Sequence, residues 1–220
     1  MVIRVDKEKI LLWGAEKMQQ ADATPLEIGY RYYHGLRTAA LAGALARAMG
    51  LKVDAEALYI GAFLHDVGKA ECSGFGHGRG GKEVIEAEIP HLFTPAELAK
   101  VTDIVANHYR RPCQGGKNSD RHPFSAEVLL VQDADALDHF GSSAVWLAFH
   151  WSKHQGRNQS QTIQFYHNED LLWRQRALAG LNYDLSRREM EYRLGRIDEF
   201  FAHFAKEEAG ALTMPPLTCP

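Results

Sequence analysis

The sequence stretch LHDVGK places the imidazole of His65 beside the carboxylate of Asp66, immediately before a glycine and a lysine. Another histidine, His34, lies upstream, while His108 and the acidic stretch at residues 133–138 lie downstream. Imidazole and carboxylate groups are ligands that divalent transition metals accept. When such groups come from separate segments of a chain, they can enclose one ion. The pattern therefore predicts a metal site assembled from distant parts of the sequence.

Such a site needs helices that bring these groups together. Residues 28–49 are rich in alanine and leucine and end at Gly50, a common stop signal for a helix. Steps of three and four residues place His34 on the same face of this predicted helix as Leu41 and Leu45. His34 is therefore expected to face the core.

The next helix carries the His65–Asp66 pair. Asp54 is expected to cap a helix whose buried stripe continues to His65. Neighbouring side chains diverge by about 100° within a helix, but the geometry loosens at a helix end, so His65 and Asp66 can both reach inward there. The alternative is that the two residues form a hydrogen-bonded pair that caps a core helix, with His34 as a core histidine.

The rest of the chain also favours helix. A glycine-dense loop is expected at residues 70–81, followed by a short helix at 82–89. Thr94 and the proline after it mark the start of a helix that extends to about Asn107. Further helices are predicted at residues 6–20, 124–138, 142–154, 164–180 and 186–207. Strand signals are nearly absent, so the predicted fold class is all-α.

Composition narrows the functional classes. The chain has 25 Lys and Arg against 28 Asp and Glu, and its 45% hydrophobic and 24% charged content is typical of a globular protein. This balance gives no reason to expect duplex nucleic acid or a membrane as a partner. Three cysteines without a CxxC pair favour neither a disulfide framework nor a zinc finger. Signal-peptide and membrane-spanning patterns are not seen, so we expect a cytoplasmic protein.

The ordered set of ligand types resembles the HD-domain metal-dependent phosphohydrolases, in particular their small bacterial single-domain members. The matching residues are His34, the His65–Asp66 pair in its HDxGK form, and an aspartate of the DADALD stretch, which resembles the ADxLD closing segment of the family. In that segment the ligand is the aspartate after the alanine. The resemblance therefore assigns this role to Asp135, with Asp133 as the fallback.

The same resemblance implies the domain organisation. We expect a single HD domain over residues 1–220, with a motif-bearing core at about residues 28–140 and a C-terminal helical extension at about residues 141–210. The oligomeric state stays open, because the apolar segment at residues 145–147 fits either the core or a homo-oligomer interface.

Further histidines could form a second metal site. His108 ends a predicted helix where the family often has a third histidine, and the resemblance makes it a ligand of a second ion or a phosphate contact. His77 lies in a GHxxxG phrase that some members share. If a second ion binds near these two residues, Asp66 is the natural bridge, while His91 is a weaker competitor. We interpret the other histidines as non-ligands, including His122, His139, His150, His154 and His167.

Basic residues flank the predicted ligands. Lys69 resembles a phosphate-contacting residue of the family, and Arg31, one helical turn before His34, resembles an arginine that borders the active site. Arg37, one turn after His34, is similarly placed. For each of the three, the alternative is a solvated basic side chain. The predicted catalytic residues are Asp66, Lys69, His77, His108 and Arg31.

Two other features adjoin these residues. Residues 110–123 contain two prolines, two glycines and four Lys or Arg, and form either a lid over an anionic substrate or a solvated surface loop. Tyr30, Tyr32 and Tyr33 precede His34, and they either stack on a substrate ring or belong to the core.

The implied chemistry is hydrolysis by water that a metal ion activates. A divalent ion would lower the pKa of bound water from 15.7 toward ~7. The resemblance implies cleavage of a phosphoester or phosphoanhydride in a nucleotide or a similar small phosphorylated metabolite, with Mn, Fe, Co, Ni, Mg or Zn as the ion. Two other functions stay open: a di-iron oxygenase with the HD fold, and a non-catalytic sensor that binds a nucleotide through a retained metal.

Overall fold

The computed structural model describes residues 6–20, 25–71, 74–111 and 124–214. Within these ranges the regular elements are helices: α1 Lys7–Gln20, α2 Tyr30–Ala48, α3 Ala55–Leu64, α4 His77–Glu88, α5 Pro95–Asn107, α6 Ala126–Asp138, α7 Ser142–His154, α8 Gln159–Ala179 and α9 Asp184–Glu208. Short 3-10 turns lie at Val67–Ala70, Gly74–Gly76 and Pro90–Leu92. These ranges contain no strand, which confirms the predicted all-α class.

Four of the described helices, α3, α5, α6 and α8, begin at a side chain that caps them. The Asp54 carboxylate accepts a hydrogen bond of 3.2 Å from the Ala57 backbone N–H and so starts α3 as predicted. Thr94 forms a capping box with Glu97 at the start of α5, again as predicted. Helix α8 begins five residues before the predicted start at 164, because Asn158 forms an unforeseen capping box with Gln161.

The predicted glycine-dense loop at residues 70–81 is wrong in its second half, where α4 already begins at His77. The glycines of this stretch serve close packing between elements. A Cβ on Gly78 would lie 2.6 Å from the Tyr109 ring at the end of α5. A Cβ on Gly68, the glycine of the HDxGK motif, would lie 2.0 Å from the His77 carbonyl oxygen. Helix α4 can therefore lie directly against the 3-10 turn that follows Asp66.

The motif-bearing helices form one packed group. Helix α2 packs against α3 on one side and α6 on another, α3 also packs against α5, and α4 packs against α5 and the 3-10 turn Val67–Ala70. Helix α9 packs against α6, α7 and α8. The first group brings together the helices on which all the predicted ligands lie.

Several other expectations concern the surface and the chain between α5 and α6. No helix in the described ranges is both long and apolar enough to span a membrane. In the apolar segment at residues 145–147, Leu147 is buried while Trp146 is 53% exposed. The predicted basic loop is described only up to Arg111. Other positions that lie outside the described residues are Lys117, Arg121, His122 and the cysteines Cys72, Cys113 and Cys219.

Candidate metal centre

The first pair of imidazoles comes from α2 and from the end of α3. His34 and His65 are both buried, and their Nε2 atoms lie 3.1 Å apart. The Nδ1–H of His34 donates to an Asp138 carboxylate oxygen at 2.7 Å, and the Nδ1–H of His65 donates to the Ala62 carbonyl oxygen at 2.7 Å. Because these partners only accept hydrogen bonds, both Nδ1 atoms carry protons, and in the neutral form of each ring the Nε2 lone pair faces the other imidazole.

A second pair of imidazoles has the same arrangement. The Nδ1–H of His77 donates to the Gly74 carbonyl oxygen at 2.5 Å, and that of His108 donates to the Val105 carbonyl oxygen at 2.7 Å. The Nε2 atoms of His77 and His108 lie 2.8 Å apart. Two unprotonated nitrogens at this distance repel each other unless a proton or a cation lies between them. The donor sets therefore fit metal ions, since imidazole ligands commonly bind through one nitrogen and are oriented through the other.

Asp66 lies between the two pairs. Its Oδ1 atom is 3.7 Å from His65 Nε2, 3.4 Å from His77 Nε2 and 3.7 Å from His108 Nε2. The chain reaches this position because α3 ends at Leu64 and continues as a 3-10 turn from residue 67. The side chains of two successive residues can then both point inward, as expected for a helix end. Asp66 belongs to two groups that could each hold an ion: one with His34 and His65, the other with His77 and His108.

The two candidate aspartates of α6 point to different places. Asp135 Oδ1 lies 3.3 Å from His34 Nε2 and 3.8 Å from His65 Nε2. The Asp133 carboxylate instead accepts hydrogen bonds from the backbone N–H groups of Asn182 and Tyr183, at 2.8 and 3.1 Å. Asp135 therefore lies with the imidazoles, while Asp133 holds the segment that leads into α9.

Cationic side chains neutralise the outer oxygens of these carboxylates. Asp66 Oδ2 accepts from an Arg31 terminal N–H at 2.9 Å and from Lys69 Nζ at 2.6 Å. Arg111 donates to Asp135 Oδ2. Arg37 donates to Asp138 at 2.9 Å. It therefore contacts the carboxylate that orients His34, and not a carboxylate of a predicted ligand.

The charges of the site shift the protonation of its residues. Burial disfavours a charged His34, but the hydrogen bonds to Asp135 and Asp138 outweigh it and raise the pKa of His34 to about 9. Burial, assisted by the charge of His34, lowers the pKa of His65 to about 4. Burial opposes ionisation of Asp66 and Asp135, yet the pKa of each lies well below its ordinary value because positive groups surround it.

A similar shift affects His108 of the second pair. Burial lowers the pKa of His108 to about 3, and the neighbouring His65 adds to the effect. His108 is thus neutral at physiological pH, the form in which an imidazole binds a metal ion.

Other predicted residues lie further from the imidazole pairs. His91 is exposed on the turn Pro90–Leu92 and joins none of the three His/Asp groups of the described residues. Of the three tyrosines, Tyr30 is buried and stacks on His34 with ring centroids 5.4 Å apart, while Tyr32 packs on Phe63 and Tyr33 is 49% exposed. The core alternative therefore holds for the first two tyrosines.

Sequence reasoning did not assign two residues that the structure brings to the site. Asp138, which orients His34, follows Asp135 by three residues on α6, and that helical spacing was a signal available in the sequence. His139 was interpreted as a non-ligand, yet its Nε2 atom lies 3.5 Å from Asp135 Oδ1.

Comparisons with known proteins concern the family and the fold. Residues 31–139 match the family model of the HD domain. Similar solved structures include an HD-superfamily hydrolase from Bacillus thuringiensis, with 23% identity, coverage of 92% of this chain and 96% of that one, and a TM-score of 0.64. A predicted HD superfamily hydrolase from an uncultured Thermotogales bacterium has 21% identity, 91% coverage of both chains and a TM-score of 0.61.

A third similar structure is that of Bacillus subtilis YpgQ in complex with ADP, with 18% identity, coverage of 92% of this chain and 97% of that one, and a TM-score of 0.60. No curated protein sequence matches the chain. Residues 31–139 of the chain belong to the HD-domain family. The fold of the chain is that of solved HD superfamily hydrolases, and its His/Asp groups could hold a divalent metal ion.

Proposed function

We propose that this protein is a metal-dependent phosphohydrolase that cleaves a phosphoester or phosphoanhydride bond of a nucleotide or a similar small phosphorylated metabolite. The observation that carries the proposal is the pair of facing imidazole couples, His34 with His65 and His77 with His108, joined by Asp66. This donor set can bind two neighbouring cations. In a hydrophobic core each facing pair of nitrogens would instead destabilise the fold.

The first ion would be held by His34, His65, Asp66 and Asp135. A second would use Asp66, His77 and His108, which makes Asp66 the shared carboxylate. When bound, a divalent ion supplies Lewis acidity, which makes water nucleophilic near neutral pH and neutralises charge on a phosphoryl group. Mixed imidazole and carboxylate ligation suits Mn, Fe, Co, Ni or Zn, and a site that keeps open positions also admits Mg.

The cationic residues would bind the phosphoryl oxygens. Arg31, Lys69 and Arg111 each donate to the outer oxygen of a predicted ligand carboxylate. The buried Nε–H groups of Arg31 and Arg111 have no hydrogen-bond partner among the described residues. The two arginine side chains are 20% and 19% exposed, so their positive charge can act on an anionic substrate, and phosphoryl transfer depends on such charge because it requires little other chemistry from the protein.

A nucleotide is the preferred substrate class because of a ligand bound to a protein of the same fold. The ADP complex of Bacillus subtilis YpgQ concerns a protein of the same fold, and it makes a nucleotide a reasonable first choice for this chain.

The test is a hydrolysis assay with controlled metal content. Chelator-treated protein is reloaded with Mn²⁺, Mg²⁺, Co²⁺ or Ni²⁺ and incubated without oxygen with nucleoside mono-, di- and triphosphates. We expect ion-dependent release of phosphate or pyrophosphate, which Asp66→Ala abolishes and His203→Ala, a change on the exposed face of α9, leaves unchanged. Absence of release from the whole panel with every ion would contradict the proposal.

A di-iron oxygenase is the second candidate. It is favoured by one observation, namely that two groups of His and Asp share Asp66 and so offer ligands for two adjacent ions. Two bound irons per chain together with oxygen uptake would support it. Binding of metal and nucleotide without turnover would instead support a sensor.

A further inference from the structure

His139 lies at the edge of the first His/Asp group. It follows Asp135 by four residues at the end of α6, and its Nε2 atom is 3.5 Å from Asp135 Oδ1. Ligand atoms of His34, Asp135 and His139 all lie within 4.8 Å of one another. We propose that His139 is an additional imidazole ligand of the ion at the first position, an inference that rests on the metal-binding part of the proposed function.

The two ring nitrogens of His139 face different partners. Its Nδ1 atom lies 3.3 Å from the hydroxyl oxygen of Tyr30, which can accept a hydrogen bond from Nδ1–H. In that tautomer Nε2 carries no proton and can share a cation with Asp135, whereas without an ion Nε2–H faces the Asp135 carboxylate. Tyr30 also stacks on His34 with an angle of 5° between the rings, so the same tyrosine aligns two imidazoles of one group.

Packing on the other side restricts the ring. The Trp173 side chain of α8 makes an edge contact with His139 at 5.8 Å between centroids and stacks on Phe140 at 4.5 Å. The imidazole remains 32% exposed. His139 is therefore both held near the group and reachable from solvent, which allows a small molecule to replace it in a variant.

An extra imidazole would change the ion preference. Nitrogen ligands favour Fe, Co, Ni and Zn, whereas Mg is best served by oxygen ligands and water. With His34, His65 and His139 the first position would contain three imidazoles. We therefore expect the wild-type protein to bind Co²⁺ in preference to excess Mg²⁺, and to lose part of this preference when His139 is replaced.

The test is Co²⁺ titration of the metal-free protein, followed by calorimetry and by visible absorption, which reports the ligands of cobalt. His139→Ala and the larger His139→Gln should weaken Co²⁺ binding by at least the ~10-fold that loss of even an outer partner costs, and should alter the absorption bands. Free imidazole should restore the bands in His139→Ala. The matched control is His203→Ala, and circular dichroism verifies the fold of each variant.

Each other result has a defined meaning. Wild-type affinity and bands in both His139 variants would overturn the inference alone. Weaker binding with unchanged bands and no effect of imidazole would show that His139 only holds Asp135 by a hydrogen bond, which also overturns it. If the wild-type protein itself binds no Co²⁺, the inference fails together with the metal-binding part of the proposed function.

Discussion

His77 and His108 are 31 positions apart in the sequence, yet their Nε2 atoms lie 2.8 Å from each other. Each ring is fixed by a hydrogen bond from Nδ1–H to a backbone carbonyl three residues earlier in the chain. In the neutral form of each ring Nε2 is therefore the nitrogen without a proton, and the two Nε2 atoms face the same point. A cation shared by the two nitrogens would remove their repulsion. Because neither histidine belongs to the first ion position, the second position can be tested separately.

Replacement of one member of this pair should remove one ion. In His108→Ala the second position keeps only Asp66 and His77, while the first position keeps all its ligands. We expect metal content after dialysis to fall from two ions per chain to one, measured by elemental analysis of protein loaded with Co²⁺ or Mn²⁺. His203→Ala should retain two. If the wild-type protein holds only one ion and His108→Ala holds it equally well, His108 is not a ligand.

The two aspartates of α6 should give opposite results. Asp135→Ala removes a carboxylate that lies 3.3 Å from His34 Nε2, so we expect loss of metal from the first position and a folded protein. Asp133→Ala removes the acceptor of the Asn182 and Tyr183 backbone N–H groups. Because buried donors without partners cost about 1–3 kcal/mol each, its free energy of unfolding should fall by at least about 2 kcal/mol.

Urea unfolding and metal analysis of both variants measure these effects. The assignment of Asp135 would be wrong if Asp133→Ala lost metal while still folded and Asp135→Ala kept it. Each variant is thus the control of the other, since the two residues lie on one helix and differ only in the direction of the side chain.

Much of the fold follows from local sequence signals. Asp54 and Thr94 accept hydrogen bonds from the first turns of α3 and α5, as their residue types predict. Such caps act within a few residues, so a sequence displays them directly. The ordered ligand types also indicated the HD domain, since each motif lies within one short segment.

Contacts between helices that are distant in the sequence cannot be recognised from such local signals. The start of α4 was missed because Gly78 favours a loop by its intrinsic propensity, while its packing against Tyr109 requires a residue without a side chain. His139 was missed because nothing local separates it from a surface histidine. Its position depends on Tyr30 and Trp173, which come from other helices.

The glycine of the HDxGK motif should be intolerant of a methyl group. A Cβ on Gly68 would lie 2.0 Å from the His77 carbonyl oxygen and 2.3 Å from the Gly81 nitrogen, both backbone atoms. Gly68→Ala should therefore displace the start of α4, lower the free energy of unfolding by roughly 1–3 kcal/mol, and weaken the second ion position. Urea unfolding and metal content report the two effects.

The matched control is Gly195→Ala in α9, where an added Cβ meets no atom within 4 Å. This change should leave metal content unchanged and raise the free energy of unfolding by up to ~1 kcal/mol, because alanine favours a helix over glycine. Equal stability of Gly68→Ala and Gly195→Ala would show that the turn after Asp66 can move away from α4 at little cost.

The metal-free protein should be most stable near pH 6.5. The pKa of His34 is about 9 in the folded protein and about 6.5 in the unfolded chain. Between these two pH values His34 is therefore protonated in the folded state and mostly deprotonated in the unfolded state. The folded state then binds more protons, so its stability is complete below 6.5 and is lost as the pH rises to about 9. Below 6.5 the unfolded chain protonates His65 and His108, whose folded pKa values are about 4 and 3, so acid also destabilises the fold.

Each proton that differs between the two states changes the free energy of unfolding by about 1.4 kcal/mol per pH unit. Urea unfolding of chelator-treated protein from pH 4.5 to 9 should show a rising limb and then a falling one, and His34→Gln should lose the falling limb. Saturating Co²⁺ should reverse that limb, because the ion binds the deprotonated imidazole and its affinity rises with pH up to about 9. A flat profile from pH 6.5 to 9 without metal would mean that Asp135 and Asp138 do not keep the proton on His34, and thus that their carboxylates are not arranged around it.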